Sequence, residues 1–310
     1  MPQLLKRSLL VVFGLLFGVL ATEIGLRVIY PDGGLPAAHL QRFTAEVLAS
    51  FREDPECGYL PVPGGGEYGP EGCLTNDYDV KQRKGTRVLF VGDSATHRGK
   101  LVAALRQLYG DTKYEYWNAG VESFNTLQEL VLYRRYNSAI QPDHVVLTFH
   151  NNDFQATPLV MHEKGELKVY APGMHVNQWL FRNSYLYRWA WPRTEPGDRN
   201  DRARQVLRNL TDFKSLLSKQ NVRFSMVLLP LFKPLAKWDN AELWSREQSL
   251  KDFKELGLRH FDLLNVSETA LKEGVSVEES GGDIWHPSPP IAERLATELY
   301  RQGLLEKDSQ

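Results

Sequence analysis

The stretch Arg87–Arg98 reads RVLFVGDSATHR and decides the fold. Val88, Leu89, Phe90 and Val91 form a continuous apolar run, the pattern of a strand buried on both faces, and Gly92-Asp93-Ser94 stands where that strand ends. In an open α/β sheet, ligands bind in the crevice beyond the carboxyl ends of the strands, so the Ser94 hydroxyl stands where chemistry is done. Gly, Asp and Ser are also ordinary turn residues. What separates the two readings is the rest of the chain.

Downstream, Leu101, Val102, Leu105 and Leu108 share one face of an expected helix over 100–109. A short strand is expected over 114–117. Asn125-Thr126 can cap a helix through LQELVLYRRYN that ends near Gln141-Pro142, and HVVLTF (144–149) is a further buried strand. Residues 154–199 interrupt the alternation with Trp179, Phe181, Tyr185, Tyr187, Trp189 and Trp191, interleaved with Arg182, Arg188 and Arg193. Two readings stay open here: a carbohydrate-stacking or membrane-surface element, or rings that pack a helical insertion against the sheet edge. The alternation resumes with a helix over 201–220, a strand over 222–229, a helix over 241–256, a strand over 260–264 and a last helix over 290–304. Five strands with helices between them predict a parallel sheet with right-handed crossovers, a three-layer α/β/α sandwich over 87–310.

At the N-terminus, Lys6 and Arg7 precede the apolar stretch from Leu9 to Ala21. Positive charge before the run keeps the N-terminus in the cytoplasm and sends the downstream chain across the membrane. Residues 1–30 therefore read as a signal-anchor, or as a signal peptide cut after Val19-Leu20-Ala21, and either exports the domain to the periplasmic or extracytoplasmic side. Residues 31–86 read as a stalk and a loop-rich lead-in, with a helix expected over 37–51. Cys57 and Cys73 lie in its Pro/Gly-rich part, EDPECGYLPVPGGGEYGPEGC, and in an oxidising compartment a disulfide between them is expected, with free thiols as the alternative. No further Cys and no clustered His supplies a zinc site, so neither metal nor cofactor is expected. A net charge of -1 gives no electrostatic footprint for nucleic acid.

The second chemical feature is GGDIWHPSP, just before the last helix. A carboxylate three residues before a histidine can turn back to accept the imidazole Nδ1–H, which fixes the tautomer and leaves Nε2 free to take a proton from a serine. Ser94, His286 and Asp283 would form that triad; a helix cap beside a surface histidine is the alternative. Oxyanion donors are expected from the Ser94 N–H, from the Gly120 N–H in Asn118-Ala119-Gly120, and from the Asn152 side-chain amide in HNND.

In their order along the chain, Gly92-Asp93-Ser94, Asn118-Ala119-Gly120, Asn152-Asp153 and Asp283–His286 resemble the motif blocks of the SGNH, or GDSL-type, serine hydrolases. The N-terminal anchor with VLFVGDS, WNAGVESFNTLQE and NNDF is similar to their membrane-anchored bacterial branch, including relatives near cell-surface polysaccharide O-acetylation. The resemblance implies a flavodoxin-like sheet. It also implies Ser94 as nucleophile, His286 as base, Asp283 as its orienting partner, and Gly120 and Asn152 as oxyanion donors. One departure is that His150 stands where that family has glycine. His150 and His97 are candidate substrate contacts.

The expectation is an extracytoplasmic serine esterase acting on small acyl esters, acetyl esters of carbohydrate first. The alternatives are an O-acetyltransferase that works with a polysaccharide-modifying membrane partner, and a non-catalytic carbohydrate-binding module.

Overall fold

The computed structural model describes residues 3–31, 40–41, 49–163, 166–170, 176–194 and 199–306. Along the chain, α1 (Gln3–Ile29), β1 (Leu40–Gln41), β2 (Phe51–Asp54) and β3 (Gly58–Pro61) precede a regular alternation. It runs β4 (Thr86–Gly92), α2 (Ser94–His97), α3 (Lys100–Tyr109), β5 (Tyr114–Gly120), α4 (Thr126–Arg135) and β6 (His144–Phe149). Strands β7 (Leu159–Glu163) and β8 (Glu166–Tyr170) and helices α5 (Gln178–Asn183) and α6 (Tyr185–Thr194) interrupt it. The alternation resumes as α7 (Arg199–Lys219), β9 (Arg223–Leu228), α8 (Asn240–Glu255), β10 (Arg259–Asp262), α9 (Leu264–Lys272) and α10 (Pro289–Arg301). Two compact units result, one of residues 1–48, 53–59 and 156–198, the other of residues 49–52, 60–155 and 199–310.

In the larger unit, the five strands β10-β9-β6-β4-β5 pair in parallel throughout. Numbered by appearance this is 2-1-3-4-5, the doubly wound order whose direction reverses between β4 and β6. Side chains alternate across the sheet. Val88, Phe90, Val146 and Val227 join Leu101, Leu105, Leu295 and Leu299 of α3 and α10 in one core. On α4 and α7, the Tyr133 and Phe213 rings meet at 5.3 Å, and Phe213 reaches Phe224 of β9 at 5.1 Å. The expected sandwich is therefore formed. Helix α9 was not expected; its start at Leu264 comes directly after β10 and has no side-chain cap, so no boundary signal marks it.

The amino ends of the strands are polar and tied down. Arg87 and Glu115 are each 2% exposed and form an ion pair at 2.9 Å. Arg87 also donates to the carbonyls of Ile140 (2.6 Å) and Val80 (2.8 Å), and Glu115 accepts from the Lys84 and Gly85 N–H groups and Trp117 Nε1. His144 Nε2 meets Ser225 Oγ at 2.9 Å. Burial, with Arg223 and Arg259 nearby, pushes the imidazole down to about 3, so it is neutral.

Two expectations are corrected. The helix over 37–51 is not one element: Leu40 and Gln41 pair with Tyr170 and Val169 of β8, and Phe51 opens β2. Backbone partners elsewhere in the chain override local propensity there. Residues 37–39 and 42–48 lie outside the described residues. The expected disulfide is likewise not formed, because Cys57 and Cys73 are separate buried thiols. Cys57 Sγ lies 3.4 Å from Asp54 Oδ1, and Cys73 Sγ lies 3.6 Å from Asn137 Nδ2. Burial, and then Glu71, pushes the Cys73 thiol well above its ordinary value, which keeps it protonated and unreactive. Tyr59, Leu60 and Tyr68 in the same stretch are all nearly inaccessible.

In the smaller unit, β1-β8-β7 form an antiparallel sheet. Leu159, Met161, Tyr170 and Phe181 make its core, with Val176 and Tyr187 against it. Arg188 is buried among rings, 4.9 Å from the Tyr185 centroid and 5.7 Å from those of Tyr170 and Phe181. The aromatic group of 154–199 thus splits in two. Phe181 and Tyr187 pack onto a strand pair that the sequence did not announce, whereas Trp179 stays 69% and Trp189 38% exposed.

Candidate active site

β4 ends at Gly92, and the chain turns at once into α2 with Asp93 as N-cap and Ser94 as its first residue. Asp93 Oδ1 accepts the Ala95 N–H at 2.9 Å, which holds the first turn and leaves the Ser94 N–H facing outward from the helix start. Two glycines let this turn press against its neighbours. A Cβ on Gly92 would lie 2.1 Å from Thr148 Oγ1 and 2.2 Å from Thr96 Oγ1, and one on Gly120 would lie 2.2 Å from the His97 nitrogen. Neither contact is tolerable between unbonded atoms, so both positions are steric requirements of the nucleophile turn.

The loop before α10 brings the other partners. Ser288 caps α10, with Pro289 and Pro290 filling its first turn, and the Glu278–Pro287 bridge anchors the loop. His286 Nε2 lies 2.8 Å from Ser94 Oγ, and His286 Nδ1 lies 2.9 and 2.8 Å from Asp283 Oδ1 and Oδ2. Ser94, His286 and Asp283 are thus brought together in the expected order. Burial opposes ionisation of Asp283, but hydrogen bonds from His286 and the Trp285 N–H, with Arg98 nearby, outweigh it and hold the carboxyl below the usual range. Glu279 extends the network by pairing with Arg98 and Lys100. Glu279, Asp283 and His286 are also grouped closely enough to hold a cation, yet the atoms it would need already face Ser94, Arg98, Lys100 and each other.

The oxyanion donors fare differently. Asn152 Nδ2 donates to Asp93 Oδ2 at 2.7 Å, which places its amide beside the nucleophile turn and leaves its second N–H for a ligand. The Gly120 N–H, expected as a further donor, lies on the same turn and donates to Asn118 Oδ1 at 2.8 Å. Asn118 Nδ2 in turn donates to the Thr96 carbonyl at 2.8 Å. Asn118 therefore straps β5 to α2, a positioning role that sequence reading missed. After Gly120, Ser123 has φ +64°, a strained backbone for a residue with a side chain.

His97 Nε2 is engaged by Glu67 Oε1 at 2.8 Å. His150, the other candidate contact, is 1% exposed, with its ring 5.2 Å from that of Trp285. Burial lowers its pKa, His286 adding to this while Asp93 and the Pro230 backbone oppose it; the ring is neutral. Trp285, 39% exposed and adjacent to His286, is the ring left facing solvent.

Beneath the turn lie two more carboxyls. Glu129 and Asp153 are both inaccessible, and neither Glu129 oxygen nor Asp153 Oδ1 has a hydrogen-bond partner among the described residues. Asp153 Oδ2 accepts the His150 N–H at 2.7 Å. Burial, and then repulsion from Asp153 and Asp93, pushes the Glu129 carboxyl well above the ordinary range, and burial with Asp93 does the same for Asp153 against hydrogen bonds from the His150 and Thr126 backbone. A concavity of about 1060 Å³ lies at the opposite end of the sheet, lined by Arg83, Tyr114, Asp143 and Arg223, and none of these is a nucleophile paired with a base.

No protein-family model and no curated protein matches the sequence. Among solved structures, the chain is similar to the acetyl xylan esterase AlAXEase (16% identity, TM-score 0.48, covering 70% of this chain and 98% of that one). It is similar to a catalytic mutant of an acetylxylan esterase from Geobacillus stearothermophilus (13%, 0.49, 73% and 97%). It is also similar to a putative lipolytic protein of the G-D-S-L family from Desulfitobacterium hafniense (15%, 0.45, 70% and 98%). The structural neighbours of this chain are thus acetylxylan esterases and G-D-S-L proteins, and the likeness is one of fold.

Proposed function

We propose that the chain is a membrane-anchored, extracytoplasmic serine esterase that removes small acyl groups, acetyl esters of carbohydrate first. One observation carries the reading: Ser94 Oγ, His286 Nε2 and Asp283 stand in hydrogen-bond sequence at the carboxyl ends of the strands, where the sheet order reverses. A binding module has no need of a nucleophile paired with an oriented base. The acetyl and carbohydrate clauses rest on the motif resemblance, and the anchor rests on α1, which is long and apolar enough to cross a membrane and whose apolar residues over 5–20 are exposed.

In the reaction His286 Nε2 takes the Ser94 proton as Oγ attacks the ester carbonyl. Asp283 stabilises the imidazolium that forms. The Ser94 N–H and the second Asn152 amide hydrogen receive the oxyanion, donors already held in place before charge develops. His286 then protonates the leaving alcohol, and water, activated by the same imidazole, releases the acid from the acyl-enzyme. If a sugar hydroxyl replaces water, the same residues perform transfer.

The test is hydrolysis of p-nitrophenyl acetate and butyrate by the full chain in detergent, beside Ser94→Ala and His286→Ala. Turnover lost in both variants, with acetate preferred, supports the reading. A folded wild type that labels with a serine-directed phosphonate yet hydrolyses neither ester points to transfer, and one that does neither leaves binding.

A further inference from the structure

The N-terminal helix and the aromatic helices of the smaller unit are joined by polar contacts that neither the proposed anchor nor the esterase explains. Glu23 of α1 accepts hydrogen bonds from Ser184 Oγ and from the Tyr185 and Leu186 N–H groups, each at 2.9 Å. It thereby caps the N-terminus of α6 from another helix, satisfying donors that α6 itself cannot. Arg27, one turn further on, donates to Glu23 Oε1 at 2.8 Å and to the Asn183 carbonyl at 2.7 Å, and its guanidinium lies 4.8 Å from the Tyr185 ring centroid. The end of α5 and the start of α6 are therefore fixed to α1 at the level of Glu23 and Arg27.

That level is set by helix geometry. Arg7 to Arg27 is 20 residues, ~30 Å at 1.5 Å per residue, the thickness of a hydrocarbon core. With Lys6 and Arg7 at one boundary, Arg27 reaches the other, and Glu23, 16 residues from Arg7 at ~24 Å, stands one turn inside it. A carboxylate there needs every partner it has, and Glu23 finds them in α6. Trp179 stands one turn before Asn183, whose Nδ2 donates to the Trp179 carbonyl at 2.8 Å, and Trp189 stands one turn after Tyr185 on the same face of α6. They are the exposed tryptophans of this unit, 69% and 38% accessible. Indole rings favour this boundary, where an apolar body meets a wet rim.

We propose that α5 and α6 form an interfacial platform, clamped to the outer end of α1 by Glu23 and Arg27, that lays Trp179 and Trp189 into the headgroup region of the bilayer. The proposal rests on α1 being the anchor. It is tested with the full chain in phosphatidylcholine/phosphatidylglycerol vesicles containing phosphatidylcholine brominated on the acyl chain. None of the seven tryptophans lies in α1, so insertion of α1 alone is silent in tryptophan emission.

The expected result is bromolipid quenching that becomes several-fold weaker in W179F/W189F, and weaker in Glu23→Ala, while both variants stay with the vesicles in a carbonate wash and keep their ester hydrolysis. A chain that stays in the wash but shows no quenching, or quenching unchanged in W179F/W189F, overturns the platform and leaves the anchor standing. Indole emission that responds to soluble xylan oligosaccharide and not to bromolipid overturns it in favour of a sugar-stacking face. A chain released by carbonate removes anchor and platform together.

Discussion

The two ends of the parallel sheet are both polar, and they treat their charged groups in opposite ways. At the amino ends, Arg87, Glu115 and Asp143 are saturated: the guanidinium meets a carboxylate and three carbonyls, and Asp143 takes Arg83 and the Arg87 N–H. At the carboxyl ends, Glu129 and Asp153 are short of partners among the described residues and resist ionisation, while Ser94, His286 and Asn152 keep capacity for a ligand. Buried polar groups are normally satisfied, and shortfalls gather where a protein works. One end saturates its charged groups, and the other keeps the free capacity that the proposed esterase requires.

Substitutions at either end should separate these roles. The largest effect is expected from Ser94→Ala or His286→Ala, a fall in kcat of about 10⁴–10⁶-fold with an unchanged thermal midpoint. Asp283→Asn should cost about 10⁴-fold, because the amide no longer fixes the imidazole tautomer. Loss of the fold in any of these would erase the distinction between the two ends.

Arg87→Ala should do the reverse. Removing one partner of a buried pair leaves Glu115 uncompensated, and a loss of about 3–5 kcal/mol in urea unfolding is expected, with kcat near wild type in whatever remains folded. Asn152→Ala should lower kcat by about 10²–10³-fold and leave KM little changed, as a transition-state donor does.

The smallest effect sharpens the comparison. A carboxyl whose pKa is raised on folding gives stability that is intact below its unfolded value and declines as pH rises toward the folded one. Glu129 and Asp153 are raised, so stability should decline above the ordinary carboxylate range. Glu129→Gln should flatten that slope, so that the variant gains on wild type as pH is raised from about 5 to about 8 in urea titrations. Asp283 has the opposite sign: its lowered carboxyl gives stability present above the ordinary range and lost as pH falls through its folded value. A steeper alkaline slope in Glu129→Gln would mean that the buried acid is not the source.

The sequence by itself determined the five strands of the parallel sheet, most plainly β4 and β6, continuous apolar runs buried on both faces. It also determined the helices whose caps are written locally: Asn125 with Gln128 for α4, Asp239 with Glu242 for α8, and Ser288 with Pro289 for α10. Asp283 and His286 were legible because three residues suffice for one loop to turn a carboxylate onto an imidazole. Only the tertiary structure decided the rest. The Gly120 N–H donates to Asn118 Oδ1, the His150 ring is buried against Trp285, and Cys57 and Cys73 are buried as thiols. Each depends on which side chains from distant segments reach the same few ångströms, and periodicity along the chain carries no record of that.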